Sequence, residues 1–324
     1  MFKTRITEMF GIEYPIIAGP MAGISHAEVV SAVSNAGGLG IIVATTFPTL
    51  KDLQEEIKKT RSMTDKPFGV NITMLPSFRS VSYEEYITAA VEAGVGIIET
   101  SGRSPEPYIK LLKDAGVKTM HRATRTRDIK TAERAGVDAV TILGTEAAGH
   151  PGQEEVGSLV RIPAAVDAVK VPVIAGGGIA DARGFVAALA LGAEGILMGT
   201  RFMASKESPT HQNIKKWLTE LTEADTILIQ KSIKNASRVV RTPHTEKVLE
   251  AENRGASLEE LRPLISGERG REAYETGDFS RASITVGQAV GLIHDIPSIK
   301  EIIDNIIAEA RPIMQRLQRM GVGG

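Results

Sequence analysis

Short apolar runs alternate with helical stretches along the chain as far as residue 200. At five junctions a helical stretch ends in Ala or Leu, a Gly follows, and an apolar run begins within a few residues. These glycines are Gly37, Gly94, Gly116, Gly136 and Gly192. A glycine just past a helix adopts the left-handed conformation that ends the helix without a Cβ clash. Continuous apolar runs are typical of strands buried on both faces, and therefore of parallel sheets.

The pattern predicts eight strands with helices between them. The strands are predicted at 14–18, 39–43, 68–72, 97–100, 117–120, 139–142, 171–175 and 195–198, and examples of the helices at 27–36, 82–93, 105–115 and 127–135. Eight strand–helix units favour an α/β fold of the closed (β/α)8 TIM barrel type. A doubly wound open sheet is the alternative. It is disfavoured because the turn after the first strand, at 18–23, lacks the glycine-rich dinucleotide fingerprint.

The alternation stops after the eighth strand. The following segment is rich in charge and shows helical patterns at 214–221, 246–254 and 258–265, with no strand of barrel character. We therefore expect a barrel formed by residues 1–208 and 281–324, and a small, mostly helical subdomain inserted at 209–280. Helical patterns at 283–293 and 298–320 are expected to close the barrel. Long insertions at this point of a barrel usually form lids or pocket walls.

Composition excludes several classes of protein. The 324 residues carry 38 Lys and Arg against 39 Asp and Glu, which gives no electrostatic reason to expect nucleic acid or an anionic membrane as a partner. The chain has no Cys, which excludes disulfides, thiolate nucleophiles and iron–sulfur clusters. No apolar stretch reaches the ~18 residues of a membrane span, and the scattered histidines predict no metal site. We expect a cytoplasmic protein with a small-molecule substrate, and a homo-oligomer stays open.

Glycine-bearing corners follow the last two predicted strands. The seventh strand runs into Gly176, Gly177 and Gly178, and the eighth runs into Gly199 and Thr200. Active sites of such barrels lie at the carboxyl ends of the strands, where glycines allow close approach and amides at a helix start bind anions. Two such corners on neighbouring strands predict a phosphate site. An ordinary tight turn is the alternative for the three glycines.

Two further strand ends carry residues suited to a planar cofactor. Asn71 ends the third strand and offers an amide donor and acceptor to a heterocycle. Met21 follows the first strand, and its soft apolar side chain suits contact with a flavin ring, although core packing explains it equally well. The fifth strand ends in His121 and Arg122, which we expect to line the pocket and bring positive charge to it.

One histidine stands in a loop of small residues after the sixth strand. His150 lies within the run 144–152, preceded by Gly149 and followed by Pro151. Small neighbours permit close approach of a ligand, and an imidazole can take up or release a proton near neutral pH. His150 is therefore the candidate catalytic residue, with a purely structural histidine as the alternative.

Four motifs together resemble the nitronate monooxygenase (2-nitropropane dioxygenase) family. They are the segments 69–71, 146–152, 175–181 and 199–202, and the Ala-Gly-His-Pro-Gly run within the second is the most specific. The resemblance covers nearly the whole chain. The family includes nitronate monooxygenases, NADH:quinone reductases and FMN-dependent enoyl-ACP reductases, all with non-covalent FMN in a (β/α)8 barrel that carries an added small domain.

The resemblance assigns roles to individual residues. It implies that the FMN phosphate lies on Gly177, Gly178, Gly199 and Thr200, with Gly176 beside them. It places the isoalloxazine ring near Met21, Asn71, Ala148 and Gly149, and His150 over its reactive face.

Three positions depart from the pattern usual in the family. Pro20 replaces the second Gly of a Gly-Gly-Met run, Arg122 replaces a Lys, and Leu143 replaces an Asp. Arginine keeps the positive charge in a different geometry, so flavin binding should survive. Leu143 removes a carboxylate from the pocket edge, which affects the choice of substrate more than that of cofactor.

The resemblance implies an FMN-dependent oxidoreductase that oxidises nitronates or nitroalkanes, with His150 as base or hydrogen-bonding group. One alternative is a reductase that takes electrons from NADH or NADPH and acts on quinones or enoyl thioesters. A second is a non-redox phosphate-binding lyase or isomerase. A nucleotide dehydrogenase of the inosine-monophosphate type is excluded, because that chemistry needs a Cys nucleophile.

Overall fold

A barrel of eight parallel strands forms the centre of the computed structural model, which describes residues 2–74, 82–280 and 282–321. The strands are β1 (Ile16–Ala18), β2 (Gly40–Val43), β3 (Phe68–Met74), β4 (Ile97–Gly102), β5 (Lys118–Ala123), β6 (Ala139–Leu143), β7 (Val173–Gly176) and β8 (Gly195–Met198). They pair in the order β1-β8-β7-β6-β5-β4-β3-β2. The Ala18 amide donates to the Leu39 carbonyl at 2.9 Å, and this bond joins β1 to the residue before β2. The predicted closed barrel is confirmed.

A helix follows each strand, and one further helix precedes β1. The helices of the barrel are α1 (Arg5–Phe10), α2 (Ala27–Asn35), α3 (Leu50–Met63), α4 (Tyr83–Glu92), α5 (Glu106–Asp114), α6 (Thr126–Ala135), α7 (Ser158–Val166), α8 (Ala182–Ala190) and α9 (Thr200–Met203). The five glycines predicted to end helices all have positive φ, between 70° and 102°. A side chain there would be strained, so the repeated glycine marks a real backbone requirement.

Apolar side chains fill both the barrel and the layer around it. α1 covers the amino-terminal end of the barrel, where Ile6 and Phe10 join an inner cluster with Ile17, Ile41 and Leu197. Ile6 is fully buried, which stabilises the fold by about 1.5–3 kcal/mol relative to an exposed side chain. Separate clusters fill the space between strands and outer helices. The apolar floor leaves the carboxyl end of the barrel as the place for polar chemistry.

The segment after β8 contains strands as well as helices. Its helices are α10 (Gln212–Leu218), α11 (Pro243–Asn253), α12 (Leu258–Leu261) and α13 (Gly267–Thr276). Between α10 and α11, β9 (Thr226–Ile229) and β10 (Ser237–Val240) form an antiparallel pair outside the barrel. The sequence pattern did not predict this pair, because its four-residue apolar runs lie in a charged, largely helical context. The division into a subdomain at 209–280 stays a prediction.

The chain returns to the barrel through a short 3₁₀ helix at Gln288–Leu292 and the long helix α14 (Ile299–Met320). α14 packs beside α8 and α2 and so fills the outer position that the short α9 leaves open. Within the described ranges, no helix combines the length and apolarity needed to span a bilayer.

Candidate active site

Two glycine corners meet at the carboxyl end of the barrel. Gly177 and Gly178 follow β7 with φ of 98° and 74°, and Gly199 follows β8. All three are half-buried, and among the described residues none of their main-chain amides has a hydrogen-bond acceptor. Such amides normally find a partner in solvent or a ligand. The corners therefore present donors that fit a phosphate group.

The helix start after β7 is not part of this donor set. Asp181 caps α8, and its Oδ1 accepts from the amides of Arg183 at 2.8 Å and Gly184 at 3.2 Å. A carboxylate thus already occupies the positive end of the helix. The amides of Arg183 and Gly184 are therefore not free for an anion. The candidate donors are the loop amides of the two glycine corners.

Thr200 and Met21 flank the β8 corner. Thr200 is buried, and its hydroxyl oxygen accepts from the Gly287 amide at 3.1 Å, which leaves the hydroxyl hydrogen to donate. The Met21 sulfur lies 3.6 Å from the position that a Cβ on Gly199 would take. Met21 is half-buried and also packs against two apolar clusters. Its structural surroundings therefore suit both core packing and contact with a ring.

The loop that carries His150 follows β6, and its first residues lie beside the β7 corner. A Cβ on Gly177 would lie 3.1 Å from the Gly144 carbonyl oxygen, and one on Gly178 would lie 3.5 Å from Glu146 Cβ. The Glu146 carboxylate accepts from the Ser158 amide at 2.8 Å and so caps the start of α7. This side chain fixes the loop next to the predicted phosphate position.

Two later segments hold the same loop from its other side. The Gln288 amide donates to the Glu146 carbonyl at 2.9 Å, and Gly287 lies so close that a Cβ there would be 3.0 Å from the Ala148 nitrogen. Gly149, with φ of 68°, forms an antiparallel bridge with Arg238 of β10. The loop thus connects the barrel, the inserted segment and the returning chain.

His150 follows Gly149 and is exposed to solvent at the mouth of the barrel. Desolvation by the surrounding protein lowers the pKa of His150, and the positive charge of Arg122 lowers it further. The ring therefore lies at the rim of the open carboxyl end of the barrel, which is called the cleft from here on. The low pKa keeps the imidazole neutral near pH 7, so it is able to accept a proton.

A buried polar network lies inside the barrel below this cleft. Asn71 Nδ2 donates to Glu99 Oε2 at 2.6 Å, and Asn71 Oδ1 accepts from the Thr73 hydroxyl at 2.6 Å. Arg122 lies nearby, with its Nε 3.7 Å from Glu99 Oε1 and one Nη 3.4 Å from Ser101 Oγ. Asn71 and Glu99 have no exposed surface, whereas Thr73 and Arg122 are partly exposed. The network reaches the cleft through these two side chains, and direct contact between Asn71 and a ring stays a prediction.

His121 does not line the pocket. Successive side chains of a strand alternate between its faces, so His121 points away from Arg122 and toward the outer helices. It is 1% exposed, and its Nδ1 lies 2.9 Å from the Thr100 hydroxyl. Burial, and then the charge of Arg122, lowers the pKa of His121 to about 4. The expectation that His121 brings positive charge to the pocket is wrong, because burial keeps the ring neutral.

Leu143 forms an apolar contact where the family usually has a carboxylate. It belongs to the inner cluster with Ala147 and Leu197, and a Cβ on Gly176 would lie 2.6 Å from its Cδ2. Because Gly176 has no side chain, the Leu143 side chain can pack against its main chain. This edge of the site is apolar.

Sequence reasoning missed two residues of this region. Glu99 interrupts the apolar run of β4, and a charged residue in a strand predicted to be buried was a usable signal. Arg238 carried no such signal, because it lies in a charged segment whose strands were not predicted. Its guanidinium is buried, with Nε 2.8 Å from the Thr145 carbonyl and Nη1 2.9 Å from the Thr226 hydroxyl.

Comparisons with known proteins agree with this architecture. The family model described as nitronate monooxygenase matches residues 3–309. A probable nitronate monooxygenase of Staphylococcus aureus (strain MSSA476) is 32% identical over 353 aligned positions, which cover 97% of this chain and 99% of the relative. The structure of FabK from Thermotoga maritima is 36% identical with a TM-score of 0.90, covering 99% of this chain and 100% of that one.

A further structural relative is the nitroalkane oxidase from Streptomyces ansochromogenes. It is 25% identical with a TM-score of 0.83, and the alignment covers 96% of this chain and 99% of that chain. Sequence and structure thus give the same answer over nearly the full length. The chain belongs to the nitronate monooxygenase family, a family of FMN-dependent oxidoreductases.

Proposed function

We propose that this chain holds FMN non-covalently at the carboxyl end of its barrel and oxidises nitronates or nitroalkanes. The observation that carries the proposal concerns the amides of Gly177, Gly178 and Gly199, which have no acceptor within the described part of the chain. These amides lie beside the start of the loop that bears His150. The amides suit a phosphate, and the histidine suits proton transfer. Membership of the nitronate monooxygenase family supports the same reaction class.

The residues that would hold the cofactor fall into two groups. The phosphate would be bound by the three free amides and the Thr200 hydroxyl, with Gly176 next to them. The ring would lie near Met21, Ala148 and Gly149, above the network that joins Asn71 to Arg122. Bound FMN supplies two-electron oxidation and reduction, and the protein supplies position and electrostatics.

The chain's own residues then explain the proton chemistry. The neutral His150 imidazole accepts a proton from the carbon next to a nitro group, or hydrogen-bonds an oxygen of a nitronate. Arg122 attracts the negative charge of the nitronate, because its guanidinium is partly exposed at the cleft. The apolar edge at Leu143 suits an alkyl chain on the substrate.

Replacing His150 tests this proposal. We expect His150→Ala to lower turnover of the best nitronate or nitroalkane by about 10²–10⁴-fold, the usual contribution of a positioned acid or base. FMN content, read from the flavin absorbance, should stay close to wild type. His294→Ala, at an exposed histidine outside the site, is the control. Turnover within a few-fold of wild type in His150→Ala would rule out the assigned role.

The similarity to FabK supports a second candidate, a reductase that oxidises NADH or NADPH and reduces quinones or enoyl thioesters. Anaerobic mixing separates the two. Loss of yellow absorbance with a nitronate but not with NADH or NADPH supports the main proposal, and the reverse supports the reductase. A purified protein that takes up no FMN contradicts both and favours a non-redox barrel enzyme.

A further inference from the structure

Glu99 is a buried carboxyl group without a full set of partners. It has no exposed surface, and only its Oε2 accepts a hydrogen bond, from Asn71 at 2.6 Å. Among the described residues, Oε1 has no hydrogen-bond partner. The nearest cation is Arg122, whose Nε lies 3.7 Å from Oε1, beyond the length of an N–H···O bond.

Leaving Oε1 buried without a partner costs less free energy for a neutral carboxyl group than for a carboxylate. A buried carboxylate beside a guanidinium normally closes to a charge-assisted bond of about 2.7–2.9 Å, because an unpaired buried charge is very costly. Here Arg122 donates to Ser101 Oγ at 3.4 Å instead and keeps part of its side chain exposed to the cleft. If Glu99 is neutral, it contributes no negative charge to offset the positive charge of the Arg122 guanidinium.

The groups that face Glu99 do not reverse this conclusion. In the strand register, Asn71 on β3 and Met120 on β5 flank Glu99, and both are uncharged. The charged or titratable groups among the described neighbours are Arg122 itself and, beyond it, His150. Burial raises the pKa of Glu99 and outweighs Arg122 and Asn71, both of which lower it.

We propose that Glu99 is a positioning residue that carries a proton at neutral pH, so that Arg122 presents an uncompensated positive charge to the cleft and binds a delocalised anion there. Two anions fit this description: the nitronate group of a substrate, and the electron-rich ring of the reduced cofactor. The inference rests on the proposed function, because it takes the Arg122 side of the cleft as the reaction site. The state of Glu99 itself is measurable without any reaction.

Infrared spectroscopy of the FMN-free protein tests the protonation state. We expect a carbonyl stretching band of a protonated carboxyl group at pH 7, shifted in D2O and lost in Glu99→Gln. Asp138→Asn is the matched control, because Asp138 accepts from the Thr119 amide at 2.7 Å at the start of the neighbouring strand β5. That variant should keep the band. If no band at pH 7 depends on Glu99, the proposal is wrong.

Nitrite, a planar oxyanion, probes the charge of Arg122 in the FMN-loaded protein. Glutamine has the shape and neutrality of a protonated acid, so Glu99→Gln should bind nitrite within about twofold of wild type at pH 7. If the anion that Arg122 binds is the substrate, Arg122→Met should bind nitrite at least about tenfold more weakly. As pH rises through the pKa of Glu99, the wild type should lose affinity and Glu99→Gln should not. Nitrite binding at least about tenfold tighter in Glu99→Gln at pH 7 would show that Glu99 is ionised, and would overturn the proposal.

The midpoint potential of bound FMN separates the two sources of the anion. A lower potential in Arg122→Met with unchanged nitrite affinity assigns the charge to the reduced ring, and the opposite result assigns it to substrate. No change in either measurement overturns the role of Arg122. If Glu99→Gln does not fold, NMR titration of wild-type protein labelled at the glutamate carboxyls gives the same answer. A resonance that titrates well above the others supports the proposal, and its absence contradicts it.

Discussion

Arg238 and Gly149 form a two-way main-chain bridge that ties the inserted segment to the loop of His150. The Arg238 amide donates to the Gly149 carbonyl at 2.6 Å, and the Gly149 amide donates to the Arg238 carbonyl at 3.1 Å. The Arg238 side chain adds a bond to the Thr145 carbonyl at 2.8 Å. The candidate catalytic histidine is thus held by the residue before it and by a strand that lies outside the barrel.

Arg238→Met should loosen this loop. The substitution removes buried hydrogen bonds from a charged donor and leaves the Thr145 carbonyl and the Thr226 hydroxyl without those partners. We expect the free energy of unfolding to fall by about 1–3 kcal/mol, and turnover to fall by about tenfold because His150 is less well placed. Urea unfolding and steady-state kinetics with FMN in excess measure the two effects.

Arg241→Met, at the residue that directly follows β10, is the matched control. Arg241 pairs with Glu246 at 2.7 Å, but both side chains are about half exposed. Exposed ion pairs contribute little, so this variant should change stability by less than about 1 kcal/mol and leave turnover as it is. Equal losses of turnover in the two variants would argue against a specific role of Arg238 in holding the loop.

Gly178→Ala tests the phosphate corner. Gly178 has a φ of 74°, so alanine would strain the backbone and put a methyl group beside the free amides. We expect FMN affinity to fall by about tenfold or more and stability to fall by about 1 kcal/mol. Titration of FMN-free protein by quenching of flavin fluorescence measures the affinity.

Gly116→Ala isolates the contribution of backbone strain. Gly116 has a φ of 70°, and no atom lies within 4 Å of the position that an added Cβ would take. It lies between α5 and the start of β5, at the end of the barrel opposite to the candidate site. It should lose similar stability and keep its FMN affinity. Equal affinities for FMN in the two variants would show that the β7 corner does not contact the cofactor.

His121 should make stability depend on pH. Its pKa in the folded protein is about 4, below the unfolded value of 6.5, because burial disfavours the charged ring. The unfolded state therefore binds more protons between these values, so the stability contribution is complete above pH 6.5 and is lost as pH falls toward 4. The loss amounts to about 3 kcal/mol by linkage.

Urea unfolding at pH 7 and pH 5 checks this prediction. His121→Gln does not titrate and should show a smaller loss of stability at pH 5 than wild type. His294→Gln, which changes an exposed histidine, should behave like wild type. A loss at pH 5 that is the same in all three proteins would mean that His121 is not the group responsible.

Arg122→Met should shift the pH dependence of catalysis. The charge of Arg122 lowers the pKa of His150, so its removal raises that pKa. His150 must be neutral to accept a proton. As the pH is lowered, the activity of Arg122→Met should therefore begin to fall at a higher pH than the activity of the wild type. Profiles of kcat/KM against pH, with FMN in excess, report this acid limb. An acid limb at the wild-type pH would show that the two groups do not interact.

Much of the fold could be predicted from local patterns, because the signals that define a (β/α)8 barrel are local. A glycine such as Gly136 ends a helix by its own conformational freedom, and an apolar run such as that of β6 needs burial on both faces wherever it lies. The glycine corners at 176–178 and 199–200 were visible for the same reason. The hairpin of β9 and β10 was missed, because its short runs give a weak signal that long-range pairing reinforces.

The candidate site likewise has features that the sequence predicts and features that depend on the tertiary structure. The sequence by itself determined that His150 and the glycine corners follow particular strands, and barrel geometry brings all strand ends to one face. Only the tertiary structure decided which way each side chain points and which distant groups meet. It turned His121 outward, placed Glu99 beside Arg122 inside the barrel, and joined Arg238 to Gly149. These relationships depend on strand register and on contacts between remote segments, and no local property of the residues encodes them.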